Sequence, residues 1–172
     1  IQEGEPMLLR VSAVMLVLAG SVCAEELTDL WLIYSRCDRN HDCDIVKKRP
    51  ASPESETIEV VARPGISEHS PTVSPDGATL AFVTEEYTPS RNLNIWTKSL
   101  PDGVPSALYS SPGHDRDPSW SPDGSMIAIG SGITDSWTEV VIISDGGAVI
   151  DTMTRNNTID GSPAWGNGVL YF

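Results

Sequence analysis

Aromatic residues are scarce in this sequence, 6% of 172 positions, although five of them are tryptophan. Large apolar anchors are therefore few and individually placed. Cysteine is scarcer, with three. Basic residues are outnumbered, 11 against 24 acidic, for a net charge of −13. Phosphate binding needs clustered Lys and Arg, so this balance excludes nucleic acid as a partner. It equally excludes electrostatic docking on an anionic membrane surface, and its plain consequence is solubility. The apolar run from Val11 to Val22 falls well short of the ~20 residues that a membrane-spanning helix needs. A sustained 3.6-residue apolar period is missing after residue 24, which excludes long amphipathic helices. There is no Gly-x-Ser-x-Gly elbow and no His-Glu-x-x-His. His41, His69 and His114 stand in loops without paired spacing, so no hydrolytic or zinc centre is legible.

Residues 1–24 read as leader and signal peptide. From Met7 they carry one basic residue, Arg10, then the apolar run, then Val22-Cys23-Ala24 at the positions a signal peptidase reads. Cleavage after Ala24 removes Glu3, Glu5 and Arg10 and leaves a mature charge of −12. It also leaves two cysteines, Cys37 and Cys43, across "DRNHD". In an oxidising compartment they are expected to close as a small disulfide, the alternative being two free thiols.

Glycine (14) and proline (13) are plentiful, and their spacing carries the main signal. "SPTVSPDGATLAFVTE" starts at Ser70, and "DPSWSPDGSMIAIGSG" starts at Asp117. A third copy, "SPAWGNGVLYF", keeps Ser-Pro-x-Trp and shortens the turn to Gly-Asn-Gly, so the box prolines are Pro71, Pro118 and Pro163. A degenerate copy, "WLIYSRCDRNHDCDIVKK", comes first without its own box. Pro presets φ for a tight turn, and the closing Gly tolerates positive φ. Val73, Trp120 and Trp165, just before each turn, are expected to pack on a neighbouring unit. The apolar triplets after it read as buried strands. "NLNIWTKSL" and "TEVVIISDG" follow as further strands, and Asp102-Gly103 and Asp145-Gly146 turn into outer strands "VPSALYS" and "AVIDTMT". Four short antiparallel strands per ~46 residues make the unit of a β-propeller. The expected fold is all-β: a partial β-propeller of about three four-stranded antiparallel blades over residues 25–172. That length is short of the usual four to eight blades, so the segment is expected to be the N-terminal part of a longer protein.

These boxes resemble the repeats of TolB-type β-propellers, bacterial periplasmic proteins with a Pro-Asp-Gly box in each blade. The resemblance spans Leu30 to Phe172. It implies an exported, periplasmic or secreted scaffold without catalysis of its own, whose partners are envelope or secreted proteins bound on the propeller face or in its channel. Proteins of that type carry an α/β domain between leader and propeller, for which the stretch after Ala24 leaves no room. The rival reading is enzymatic: the N-terminal, substrate-gating propeller of a secreted prolyl-oligopeptidase-like serine peptidase.

Two groups of residues are candidates for binding. Glu68, Asp115 and Asp160 each stand three positions before a box proline. In a propeller they would form an arc of carboxylates at the channel mouth, open to a cation or a basic group; otherwise they are solvated loop acids. Asp38, Asn40, Asp42 and Asp44 alternate oxygen side chains as in the first half of a calcium loop. Cys43 replaces the turn glycine there and Arg49 the closing Glu, so the other reading is a polar hairpin tip. Apart from that weak calcium option, no cofactor is expected. His114 clusters with two acids in "PGHDRDP", either a pocket wall or a polar loop. Asn156-Asn157-Thr158 is a glycosylation sequon.

Overall fold

The computed structural model describes residues 31–50, 53, 57–86, 92–134 and 137–172. The leader, including Cys23, lies outside the described residues. Thirteen strands and no helix make up the described chain. The first sheet is β1 (Leu32–Cys37), β2 (Cys43–Lys48) and β3 (Ile58–Val61). The second runs β4 (Ile66–Val73), β5 (Thr79–Glu86), β6 (Leu93–Ser99) and β7 (Ser106–Tyr109). The third repeats that order with β8 (Asp115–Trp120), β9 (Met126–Thr134), β10 (Trp137–Ser144) and β11 (Val149–Thr152). A hairpin of β12 (Ala164–Gly166) and β13 (Val169–Tyr171) follows. Every pairing within the sheets is antiparallel between chain neighbours, the meander of a propeller blade.

The apolar run of β5 is unbroken because both faces of the second sheet are covered. Leu80 and Phe82 point one way, into a core with Ile45, Val60 and Val61 of the first sheet and Val73 of β4. Ala81 and Val83 point the other way and join Ile95, Trp120, Ile127, Ile129, Val141 and Ile143. Successive sheets thus share their cores face to face. Val73 and Trp120 do pack on the preceding sheet. Trp165 is half-buried, and its backbone N–H donates to Ser119 Oγ on β8 at 3.2 Å.

The turn box works through its serine and aspartate as much as through its proline and glycine. Ser74 Oγ donates to Asp76 Oδ1 (2.6 Å) and accepts from Thr79 N–H (2.9 Å), while Ala78 N–H donates to Asp76 Oδ1 (3.0 Å). Ser121 and Asp123 repeat the pattern with Met126 and Ser125 N–H. Gly77 and Gly124 close the turns at φ 76° and 75°, where a side chain would be strained. The β10–β11 turn departs from the Asp-Gly expectation. Its left-handed residue is Gly147 (φ 85°), one later than Gly146, and a Cβ there would collide with the Leu108 carbonyl of β7.

Along β11 and the last hairpin the apolar side chains meet water: Val149, Ile150, Met153, Val169, Tyr171 and Phe172 are all about half exposed. An apolar patch beside short β-strands is a surface on which copies pair. The expected result is self-association of the 172-residue chain that grows with salt, as its negative charge is screened. Light scattering over a salt series checks this. A monomer at every ionic strength would overturn it.

Candidate functional site

The three acids before the box prolines occupy different surroundings, and the structure does not bring their carboxylates onto one another. Glu68 lies in β4 and is fully buried. Arg63, from the turn before β4, donates through Nε to Glu68 Oε1 at 2.7 Å, and its guanidinium lies 4.2 Å from the centroid of the Trp96 ring. Glu68 Oε2 and Arg63 Nη2 are buried without a hydrogen-bond partner among the described residues. Burial raises the Glu68 carboxyl above the usual range, and Arg63 opposes the rise.

Asp115, at the matching place in the third sheet, is equally buried but fully engaged. Ser111 N–H donates to Oδ2 and the Ser131 hydroxyl to Oδ1, both at 2.7 Å, and the Tyr109 hydroxyl lies 3.4 Å from Ser131 Oγ. Burial again pushes this carboxyl up, against those two hydrogen bonds. Asp160 is half-buried in the β11–β12 connection. Its N–H donates to the Thr138 carbonyl (2.8 Å), and its Oδ2 accepts from Asn156 Nδ2 (2.7 Å).

Asp38 and its neighbours form the β1–β2 tip. Asp38 Oδ1 accepts from Asn40 N–H (2.7 Å) and Asp42 N–H (3.0 Å), and Oδ2 accepts from Asn40 Nδ2 (3.2 Å). The Asp42 amide is the main reason that this carboxyl sits below its ordinary range. Asp44 is pushed up, first by burial and then by the charges of Asp42 and Glu59. The tip therefore spends its first carboxylate on its own backbone. Among the described residues, no three His, Cys, Asp or Glu side chains gather into a metal-binding group.

Cys37 and Cys43 face each other as the last pair of the β1–β2 ladder and are joined by a disulfide. Closing so short a loop is worth up to about 2 kcal/mol in the chain-entropy view. Reduction is expected to lower the urea midpoint by a corresponding amount. Thiol titration of the unreduced protein checks the bond, and two free thiols would overturn it.

Of the histidines, His69 is held below its ordinary range by burial, with Nδ1 3.1 Å from Ser70 Oγ. His114 Nδ1 accepts from Leu93 N–H at 3.2 Å, which ties the loop to β6 rather than offering the ring to a ligand. The sequon asparagine turns its carboxamide oxygen to Thr158 N–H at 2.8 Å in an exposed turn.

Sequence reasoning missed Arg63, Ser111 and Ser131 as partners of the buried acids. A signal was present: Thr84 and Ser131 each stand the same sixteen residues after Glu68 and Asp115 and are their ladder partners. Ser70, Asp117 and Ser162 were missed too. Each precedes a box proline at φ 51–53°, a left-handed conformation that non-glycine residues adopt at a cost. The Ser162 hydroxyl donates to Asp117 Oδ2 at 3.1 Å, linking one box to the next.

No protein-family model matches the chain. Among solved structures it resembles TolB from Acinetobacter baumannii at a TM-score of 0.63 and 19% identity, over 78% of this chain and 32% of that one. The β-propeller domain of the trilobed protease from Pyrococcus furiosus matches at 0.52 and 18%, over 74% and 39%. A prolyl endopeptidase matches at 0.51 and 15%, over 72% and 20%. The chain spans less than half the length of each. Identities this low establish the fold, a TolB-like β-propeller. Among the described residues no helix is long and apolar enough to cross a membrane.

Proposed function

We propose that the chain is an exported, non-catalytic β-propeller scaffold that binds other proteins of a bacterial envelope, in the manner that its TolB-like repeats imply. The observation that carries this reading is the likeness to TolB, which is closer than the likeness to the peptidase propellers, 0.63 against 0.52 and 0.51. The buried acids fit it. Asp115 is saturated by Ser111 and Ser131, and Glu68 is covered, so both serve the joints between sheets. Residues 1–24 serve as a cleaved leader and residues 25–172 as the propeller segment.

The rival reading, a propeller that gates a serine peptidase, draws on the likeness to the trilobed protease and prolyl endopeptidase propellers. One experiment separates them. The chain, with its leader, is produced in a Gram-negative host carrying a photo-crosslinking residue at exposed positions such as Ile159 or Val104. Cleavage after Ala24, recovery from the periplasm and discrete crosslinks to envelope proteins are the expected results. Retention in the cytoplasm with the leader attached would overturn the scaffold reading. Labelling by a fluorophosphonate probe of the protein, as its source makes it, would decide for the peptidase.

A further inference from the structure

The turn between β12 and β13 is Asn167-Gly168, with φ 50° at the asparagine and 76° at the glycine. Positive angles at both central residues make the tight hairpin turn for which Asn-Gly is a preferred pair. Both residues are exposed, and nothing stands within 4 Å of the place that a Gly168 Cβ would take. Neither the Asn167 carboxamide nor the Gly168 N–H makes a hydrogen bond among the described residues. The sequence has six asparagines, and Asn167 is the one that precedes a glycine. Asn156 makes the contrast: its carboxamide accepts from Thr158 N–H at 2.8 Å and donates to Asp160 Oδ2 at 2.7 Å. The hairpin holds three residue pairs, Ala164 with Tyr171, Trp165 with Leu170 and Gly166 with Val169. So short a ladder opens at little cost.

We propose that Asn167 is a site of spontaneous covalent modification, losing its amide to the Gly168 nitrogen, and that the isoaspartyl product frees the last hairpin from the third sheet. Hydroxide takes the Gly168 amide proton, and the nitrogen attacks Asn167 Cγ. The N–Cγ bond forms and the Cγ–Nδ2 bond breaks. Nδ2 takes a proton from water and leaves as ammonia, which restores the hydroxide. Water then opens the cyclic imide. Cleavage at Cγ gives aspartate; cleavage at the Asn167 backbone carbonyl gives isoaspartate, with the chain routed through Cβ and Cγ. One water enters and one ammonia departs, with no change of oxidation state. Glycine suits the attack because no side chain shields its nitrogen. The Ser-Pro-Asp-Gly boxes are poorer targets. Asp76 and Asp123 also precede left-handed glycines, but turn hydrogen bonds hold both ionised, and a carboxylate oxygen is a poor leaving group. Aspartate at 167 would give the third box the residue that the other two already carry. Isoaspartate instead adds one atom to the backbone of a two-residue turn, and the register of β12 on β13 depends on that turn. Trp165 then loses its place, and with it the bond from its N–H to Ser119 Oγ on β8. The inference stands apart from the scaffold reading.

The test ages the 172-residue chain in mildly acidic and mildly alkaline buffer. Chymotrypsin then cuts after Trp165, which parts Asn167 from Asn156 and Asn157. Mass spectrometry of the peptides reads amide against acid, and electron-transfer fragments tell isoaspartate from aspartate. Asn167 is expected to convert before any other asparagine, faster in the alkaline buffer, to a mixture of isoaspartate and aspartate. In the acidic buffer the cyclic imide, lighter than the parent by one ammonia, should accumulate. Hydrogen exchange then compares the isoaspartyl fraction, separated by chromatography, with Asn167→Asp. The Trp165 amide should lose protection in the first and keep it in the second, while β8–β10 stay protected in both. An Asn167 that outlasts Asn156 or Asn157 would overturn the proposal. So would conversion to aspartate without isoaspartate, the mark of direct hydrolysis, or a Trp165 amide equally protected in the two forms.

Discussion

Replacing Phe82 with alanine is expected to lower the unfolding free energy by about 3–5 kcal/mol, the usual cost of emptying a core aromatic site. Among the described residues Phe82 is the largest fully buried side chain. It belongs to the core that joins the first sheet to the second, with Ile45, Val60, Val61 and Leu80. Those four neighbours are aliphatic, and Trp96, the aromatic side chain packed against this core, is held on its other side by the Arg63 guanidinium, so the space is not readily refilled. A typical domain has only about 5–15 kcal/mol in all, and the loss should be uneven. Stacked units hold together through their interfaces, and the core around Trp120, Ile127 and Ile143 does not contain Phe82. Hydrogen exchange should therefore show β1–β3 losing protection first, while β8–β10 keep theirs. Uniform loss over all strands would show that the three sheets unfold as one.

Asp115→Ala and Glu68→Gln should differ sharply although the two acids occupy equivalent places. Removing the Asp115 carboxylate strands the Ser111 N–H and the Ser131 hydroxyl inside the protein. Unsatisfied buried groups cost about 1–3 kcal/mol each, so the expected loss is about 3 kcal/mol. Glutamine at position 68 keeps an oxygen for Arg63 Nε and removes a buried charge. Arg63 still rests on Trp96 with its side chain 22% exposed, so Glu68→Gln should change stability by no more than about 1 kcal/mol at neutral pH. The pH dependence carries a definite sign. Glu68 is raised in the folded state, so its contribution is fully present below the unfolded value and is lost as pH rises through the folded one. Glu68→Gln should therefore gain on the parent protein between mildly acidic and neutral pH. The turn acids act oppositely. Asp76 and Asp123 are lowered, so their contribution exists above the ordinary carboxylate range and vanishes as pH falls through the folded values. Urea midpoints of the parent and both variants across pH check this. A Glu68→Gln difference that is flat with pH would sink the argument for a desolvated Glu68.

The recurrence of the Ser-Pro-Asp-Gly box was enough by itself to determine the blade. Its residues act within a few positions of one another: Ser74 and Ser121 hydrogen-bond their own aspartate and the first amide of the next strand, and Gly77 and Gly124 take the left-handed angle. Such local chemistry is written in chain order. The triplets Leu80-Ala81-Phe82 and Ile127-Ala128-Ile129 were legible as buried strands for the same reason, since a run apolar on both faces must be covered on both. The third, Leu170-Tyr171-Phe172, departs from that expectation, with Tyr171 and Phe172 more than half exposed. Cys37 and Cys43 were legible as a pair because the hairpin between them is short. The fate of the acids was decided only by the tertiary structure. Glu68 and Asp115 look like loop carboxylates in sequence, yet stacking of the sheets buries them. The difference between them turns on Arg63 and on Ser111 and Ser131, residues whose approach depends on how neighbouring strands pair and stack. A cleft beside Trp120 was illegible for the same reason: Asp76, Asp123 and Asp145, 47 and 22 residues apart in the chain, line it together only because one turn box is set against the next.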